Sequence, residues 1–319
     1  MLVTGANGFI GSNLVKRLLD EDNVVIGMDK DYNKERQLME ITDRKVYMND
    51  YNNMSKYYTF IWENINYIRE FSYKLEGIDV IFHLAASADI RKSYINPTMD
   101  LENNVNGTNE ILEIMRTKDI KNLIFSSSSS IYGETSIVPT PETVGDIKPI
   151  SLYGASKLAN EAFINVYCHL YGLRAWMFRF ANVVGRNMHR GVIYDFVKEL
   201  KAHPNELTIL GDGRQEKSFF DVDDCVEGLV SIPNKDNNNS STVYNLGNYE
   251  TIKIRNLADI VSNELGANPK ITTGKSDRGW PGDTPYTILS IDKALKTGWK
   301  PKYNCEESIR RTVRWLINK

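Results

Sequence analysis

A chain of 319 residues, 41% hydrophobic and 25% charged, is long enough to bury a large core, as one big domain or a domain with a smaller appendage. A formal net charge of -2 argues against a nucleic-acid surface, and no apolar run is long enough to span a membrane. Cys168, Cys225 and Cys305 lie far apart and follow no metal-ligand spacing, as suits free thiols in a reducing cytosol.

Residues 1–4 form a short apolar strand, met directly without a signal-peptide pattern, and so short that the expected start lies upstream. It runs into Gly5-Ala-Asn-Gly8-Phe-Ile-Gly11, and an amphipathic helix follows over residues 12–20. Strand, glycine turn and helix open a dinucleotide-binding βαβ unit. Gly5 permits the tight turn, Gly8 lets the backbone approach a pyrophosphate, and Gly11 lets the helix pack closely on the strand. The free amides at the helix start then bind phosphate. Residues 24–28 are the second strand, which ends in Asp29. An acid there accepts hydrogen bonds from both adenosine ribose hydroxyls and repels a 2′-phosphate, so NAD is expected over NADP. Lys30 beside it is a minor objection, since an isolated lysine there is commonly solvated.

Residues 30–59 are polar, charged and tyrosine-rich, and no function is assigned to them. A strand-like run follows at 59–65, then a buried parallel strand over 78–86 that ends in small residues, as a sheet requires where a cofactor crosses its carboxyl edge. His83, inside that apolar strand end, is expected to be a packed, hydrogen-bonded core residue and not a base. Asn103 opens a helix that continues to Met115, and residues 122–125 form the next strand. It ends in the serine run 126–130 and Ile131-Tyr-Gly133, which puts hydroxyls where a substrate would lie. The alternation of strands and helices indicates one doubly wound parallel sheet of Rossmann type, an α/β fold.

Tyr153 and Lys157 stand four residues apart at the start of a long helical pattern, so both project from one face. A phenol, with a pKa of about 10, is a poor base at neutral pH. A neighbouring ammonium favours the phenolate, and a bound cationic nicotinamide would help further. Such a pair alone is commonly a solvated surface pair, and the flanking motifs are what give it weight. Further along, 192–201 reads as a helix, 211–213 as a turn, 219–230 as a helix, 234–241 as a polar surface connection, 243–247 as a returning strand, and 250–319 as a smaller helical cap. The expected domains are a dinucleotide-binding domain over 1–184, completed by about 219–247, and a smaller C-terminal substrate-binding domain from 185–218 and 248–319.

Seven motifs together resemble the extended short-chain dehydrogenase/reductase superfamily in its NAD-dependent epimerase/dehydratase branch, over almost the whole chain. They are Thr4-Gly-Ala-Asn-Gly-Phe-Ile-Gly11, Phe82-His-Leu-Ala-Ala86, the serine run with Ile131-Tyr-Gly133, Tyr153-x-x-x-Lys157, Arg179-Phe-Ala-Asn-Val-Val-Gly185, Gly211-Asp-Gly-Arg-Gln215 and Asp221-Val-Asp-Asp224. Within the branch, Arg190-Gly-Val-Ile-Tyr-Asp-Phe-Val197 and Arg278-Gly-Trp-Pro-Gly-Asp283 resemble UDP-glucose 4-epimerases of the archaeal type.

The resemblance implies that Tyr153 is the base, that Lys157 orients it while contacting the nicotinamide ribose, and that Ser128 hydrogen-bonds the reacting sugar hydroxyl. It implies NAD contacts from the glycine loop (Gly5, Asn7, Gly8, Phe9, Ile10, Gly11) and from Asp29 and Lys30. Further contacts are implied for Leu84, Ala85, Ala86, Asn103, Ser126 and Ala181, besides Tyr153 and Lys157. The adenine contact falls on Asn64 and Ile65, where Asn64 replaces an acid and Asp50 is a rival. Substrate contacts are implied for Ser128, Tyr153, Asn182, Val192, Lys217 and Arg278. Lys217 stands where the family usually has an arginine for the diphosphate, and its plain alternative is surface solvation. Arg278, in a loop fixed by glycine and proline, is the better diphosphate candidate. Thr287 stands near the position that restricts the sugar's C2 substituent, which leaves room for N-acetylated sugars.

Where dehydratases and decarboxylating relatives carry acids, Ser129 and Ser130 stand here, and hydroxyls cannot do the acids' work. The expected activity is therefore 4-epimerisation of UDP-glucose and UDP-galactose through a transient 4-keto sugar. Another sugar-nucleotide epimerase, dehydratase or dehydrogenase is the nearest alternative. A non-catalytic NAD-sensing protein is the distant one, and would be expected to lack Tyr153, Lys157 or Ser128. A cytoplasmic homodimer built from the helices starting near Asn103 and Tyr153 completes the expectation, with no metal, membrane or nucleic acid.

Overall fold

The structure, a computed structural model, describes residues 1–31, 57–236 and 240–319. Asp50 lies outside the described residues, with most of the stretch 30–59. Seven strands form the main sheet, in the spatial order Ser241–Leu246, Arg174–Phe180, Asn122–Ser128, Val80–His83, Leu2–Thr4, Val25–Asp29, Tyr58–Trp62. Counted along the chain this is the 3-2-1-4-5-6 order of a doubly wound dinucleotide fold, extended by one strand. Leu2 pairs in parallel with Ile26 on one side and with Ile81 on the other. The strand order reverses between these neighbours, and ligands in such sheets bind at the crevice beyond the carboxyl ends there. Both candidate loops, the glycine turn after Thr4 and residues 84–86 after His83, start at that reversal.

The sheet forms because its strands are apolar at successive positions and helices flank it. Leu2, Val3, Val25, Ile81, Leu123 and Phe125 are all buried. Helix Gly107–Lys118 contributes Ile111, Leu112, Ile114 and Met115 to the same core as Phe125, Ile164 and Met177. Each such side chain stabilises the fold by about 1.5–3 kcal/mol on burial.

Several elements differ from the sequence-based expectation. The run expected as a strand over 59–65 stops at Trp62, because Asn64 caps a 3-10 helix, Ile65–Lys74, its side chain accepting from Asn66 N at 3.1 Å. The helix expected to open at Asn103 is preceded by Thr98–Asp100 and a π-helical turn, Leu101–Asn106. Phe219–Asp221, expected as the start of a helix, is a strand paired in parallel with Asn182–Val184. The helix that follows, Val222–Lys235, takes in Asn234, which was expected in a surface connection. Residues 250–319 are not a purely helical cap: Ile252–Lys253, Lys270–Thr273 and Tyr286–Thr287 are strands between the helices Ile254–Leu265 and Cys305–Ile317.

The chain forms two compact units: Met1–Ser127 with Ala155–Phe178 and Pro233–Val243, and Ser128–Gly154 with Arg179–Ile232 and Tyr244–Lys319. Residues 128–154, 179–184, 219–232 and 244–247, expected with the dinucleotide domain, fall in the second unit. Among the described residues no helix is long and apolar enough to cross a membrane, and no group of three or more His, Cys, Asp or Glu is placed to hold a metal. All three cysteines are free and buried.

Candidate active site

In the first unit the glycine loop is as tight as its spacing predicts. Gly5 has φ +71, and a Cβ there would lie 2.8 Å from Ala85 N; a Cβ on Gly11 would lie 2.0 Å from Gly5 O. Helix Phe9–Asp20 starts directly after Gly8, three residues ahead of the expected Ser12, so Phe9 and Ile10 lie in its first turn. Asn7 N donates to Asp29 Oδ2 at 3.0 Å, and Asp31 N to Asp29 Oδ1 at 2.9 Å, which seats the carboxylate at the loop. Burial pushes the Asp29 carboxyl pKa up, and these backbone donors work against that shift. Lys30 Nζ donates to Asn103 Oδ1 at 3.0 Å, so two residues of the implied cofactor set meet. Asn64 is engaged as a helix cap and Ile65 is buried.

His83 is a core residue. Its Nδ1 lies 2.8 Å from Thr4 Oγ1 and its Nε2 3.0 Å from Thr108 Oγ1. Burial first, and then the charge of Lys157, push its pKa down to about 3, so the ring is neutral. Thr4 Oγ1 also accepts from Ala85 N at 3.2 Å, which fixes residues 84–86 against the first strand.

Lys157 is buried, and its Nζ donates to Ser126 O at 2.7 Å, above the Phe125 ring. Ser126 Oγ in turn donates to His83 O at 3.2 Å. Burial lowers the Lys157 pKa to about 7, against the pull of the Glu161 and Asp100 carboxylates. An ammonium of that pKa can hold or release a proton near neutrality. Asn104, which sequence reasoning missed, ties this region together. Its Nδ2 lies within hydrogen-bond distance of Ser87 O (3.0 Å), Asp100 Oδ1 (3.0 Å) and Ser156 Oγ (2.9 Å), and its Oδ1 accepts from Ser87 N at 2.7 Å. It thus joins the loop after the fourth strand to the helix turn carrying Lys157. The π-helical turn around it is the local signal, visible in sequence only as two consecutive asparagines.

In the second unit Ser128 ends its strand and caps the 3-10 turn Ser129–Ile131, accepting from Ser130 N at 3.1 Å and donating to Ser130 Oγ at 3.0 Å. A Cβ on Gly154 would lie 2.4 Å from Ser130 O, so this turn abuts the start of helix Leu152–Tyr171 beside Tyr153. Tyr153 and Lys157 occupy successive turns of that helix. Ala181 packs against Gly247, Asn182 Nδ2 donates to Ser218 O at 2.9 Å, and Val192 is the first residue of helix Val192–Ala202.

Lys217 is not solvated. It is largely shielded, its side chain 12% exposed, with Nζ donating to Asp283 Oδ1 at 2.8 Å and to Thr284 O; desolvation lowers its pKa and the Asp283 carboxylate opposes that. Arg278 Nη1 donates to Glu134 Oε1 at 2.9 Å, and its Nε lies 3.2 Å from Asp277 Oδ1. Arg278, Glu134, Ser129, Tyr132 and Thr287 line one cavity of about 240 Å³.

The sequence profile of the NAD dependent epimerase/dehydratase family matches residues 1–247. The chain belongs to this family. A UDP-galactose 4-epimerase crystal structure is 31% identical to it, with a TM-score of 0.84 and coverage of 99% of this chain and 98% of the other. A UDP-glucuronic acid 4-epimerase from Bacillus cereus, solved with UDP-glucuronic acid and NAD, is 27% identical, with a TM-score of 0.85 over 99% and 98%. A UDP-N-acetylglucosamine 4-epimerase from Methanobrevibacter ruminantium is 28% identical, with a TM-score of 0.83 over 99% and 97%. The protein is an enzyme of this family with NAD as its cofactor. Its residues fit that group: the glycines leave a cradle that side chains would fill, and the buried Oδ1 of Asn7 has no hydrogen-bond partner among the described residues.

Proposed function

We propose that the protein is a UDP-hexose 4-epimerase, with UDP-glucose and UDP-galactose as its pair of substrates. The observation that carries this is the buried Lys157 on Ser126 O, one helical turn beyond Tyr153, whose helix start adjoins a serine turn with Ser129 and Ser130 in place of acids. NAD, when bound, supplies the acceptor and donor of a hydride. Tyr153 takes the proton of the sugar's 4-hydroxyl, and the nearby cation of Lys157 lowers the cost of the phenolate. Ser128 hydrogen-bonds the same oxygen while the proton leaves, and the 4-keto sugar then turns within the site so that its other face can accept the hydride. Tyr153 returns the proton once the hydride has come back to the opposite face.

Gly5, Asn7, Gly8, Asp29, Asn103 and their neighbours in the first unit hold NAD in this reading, while Asn182, Val192 and Arg278 in the second hold the sugar nucleotide. The Lys217 ammonium, paired with Asp283, favours Arg278 as the diphosphate contact. The exposed Phe163, Val166 and Leu170 along helix Leu152–Tyr171 support the expected homodimer, and the buried free thiols support a cytoplasmic setting. A second reading, UDP-N-acetylhexosamine 4-epimerase, is favoured by the small Thr287 on the cavity wall.

Purified protein is incubated with UDP-galactose, UDP-N-acetylgalactosamine and UDP-galacturonate separately, with NAD, and products are resolved by anion exchange. Conversion of UDP-galactose to its gluco epimer without net NADH is the expected result. Faster turnover of either of the other two reassigns the sugar, and no conversion of any of them sinks the UDP-sugar assignment. Sedimentation of the same protein tests the dimer.

A further inference from the structure

The second unit contains a buried polar network that the mechanism above does not use. Tyr132, Arg179 and Asn245 are all nearly or fully buried. Arg179 Nη1 donates to Tyr132 Oη at 2.9 Å and to Glu142 O at 3.2 Å, with its guanidinium carbon 4.9 Å from the Tyr132 ring centroid. Tyr132 Oη donates to Asn245 Oδ1 at 2.7 Å. Asn245 then spends its amide on two other segments, Nδ2 donating to Thr140 O at 2.9 Å and to Ser290 O at 3.0 Å, while its backbone N donates to Glu142 Oε1 at 2.8 Å. Two sheet strands, those carrying Arg179 and Asn245, thereby grip one phenol from both sides. A phenol that gives and accepts a hydrogen bond in fixed directions cannot swing or slide, whereas an apolar ring in the same slot could.

The position of that phenol in the chain is what makes this relevant to the reaction. Tyr132 directly follows the 3-10 turn Ser129–Ile131, whose cap is Ser128 and whose Ser130 carbonyl lies against Gly154. Two of the turn's three residues are small serines that bring little packing of their own, while the third, Ile131, is buried at the end that leads into Tyr132. Its rigidity must come from its ends.

We infer that Arg179 and Asn245 are positioning residues: through Tyr132 they fix the serine turn, and so set where Ser128 presents its hydroxyl and how the start of the tyrosine helix is seated. The inference rests on the reading of Ser128 and Tyr153 as the reacting groups. Neither Arg179 nor Asn245 touches the sugar in it. A reacting group displaced by an ångström loses turnover far more than binding, because alignment matters most where the bonds change.

The test compares Tyr132→Phe and Asn245→Ala with Trp299→Phe, which deletes a buried hydrogen bond of the same unit, from the indole to Asp224 O, away from the serine turn. Tyr132→Phe keeps the ring and loses one hydroxyl, so it serves even where Asn245→Ala fails to fold. The expected kcat of Tyr132→Phe falls roughly 10- to 100-fold, with KM for UDP-galactose within about threefold and NAD content unchanged. Hydrogen exchange in peptides covering 128–134 and 152–156 is expected to rise roughly tenfold in the same variant, and to stay unchanged in Trp299→Phe. A Tyr132→Phe enzyme that melts earlier, like Trp299→Phe, but keeps its kcat and its exchange pattern would show the network to be merely structural. Absence of epimerisation in the unsubstituted protein would fail the proposed function instead. The exchange pattern would then decide on its own whether the network holds the turn, and an unchanged pattern overturns the inference.

Discussion

Replacing Lys157 by methionine is expected to abolish activity and yet stabilise the NAD-free protein below neutral pH. The Lys157 ammonium is buried, and burial, opposed by Glu161 and Asp100, brings its pKa from 10.5 to about 7. A shift of that size, at about 1.4 kcal/mol per pKa unit, makes the charged form destabilising by about 5 kcal/mol. The sign follows from proton uptake. Between pH 7 and the unfolded value the unfolded chain binds the proton and the folded chain does not, so stability rises with pH across that window. Below pH 7 both states are protonated and the whole penalty is present. Methionine has similar length and no charge, but it leaves Ser126 O without the Nζ donor, at a cost of about 1–3 kcal/mol. Lys157→Met should therefore be more stable than the original by about 3 kcal/mol at pH 6, lose that advantage as pH rises, and become the less stable of the two above about pH 9. Urea unfolding at pH 6, 7.5 and 9 with NAD removed measures the crossing. A constant destabilisation at all three values would refute the assignment of a depressed pKa to this lysine.

Tyr153→Phe should lower kcat by about 10²–10⁴-fold with NAD content unchanged, read by the UDP-galactose assay and by nucleotide released on denaturation; retained turnover would remove Tyr153 from the chemistry. Lys217→Ala leaves the buried Asp283 without its cation and should cost about 3–5 kcal/mol in urea unfolding, with Lys217→Ala/Asp283→Ala recovering much of the loss. Glu134→Gln releases Arg278 from an exposed ion pair and should lower KM for the sugar nucleotide by no more than about fivefold, an effect that fades with added salt; a raised KM would mean that Glu134 itself holds the ligand.

The parts of the site legible in the sequence were those fixed by local spacing. Gly5, Gly8 and Gly11 can be read because a tight turn forbids side chains within a few residues of one another, and Gly11 meets Gly5 O in the structure. The Tyr153 and Lys157 pair can be read because one helix carries both. What stayed hidden depends on distant segments. Asn104 meets Ser156, 52 positions on, and Tyr132 meets Asn245, 113 positions on, and no periodicity encodes either contact. Asp283 as the partner of Lys217 is the same case, which is why burial versus solvation at Lys217 was open from sequence. The short strand Phe219–Asp221 was merged with the helix after it because three apolar-rich residues carry no alternation, and only the pairing with Asn182–Val184 makes them a strand.

Two desolvated lysines, Lys157 fully buried and Lys217 largely shielded, show how loss of solvent yields different chemistry. Both have their pKa lowered by desolvation, and both Nζ groups meet a backbone carbonyl. Lys217 also donates directly to the Asp283 carboxylate, so its charge is compensated where it stands and is expected to persist as a structural ion pair. Lys157 draws on Glu161 and Asp100 as charges acting on it, with burial the larger influence, and its proton is held weakly. A fold selected for stability alone would replace such an ammonium with an apolar side chain. In the proposed reading its place one turn after Tyr153 suits a proton-handling site, because the group that costs stability when charged would also make the adjacent phenolate accessible at neutral pH.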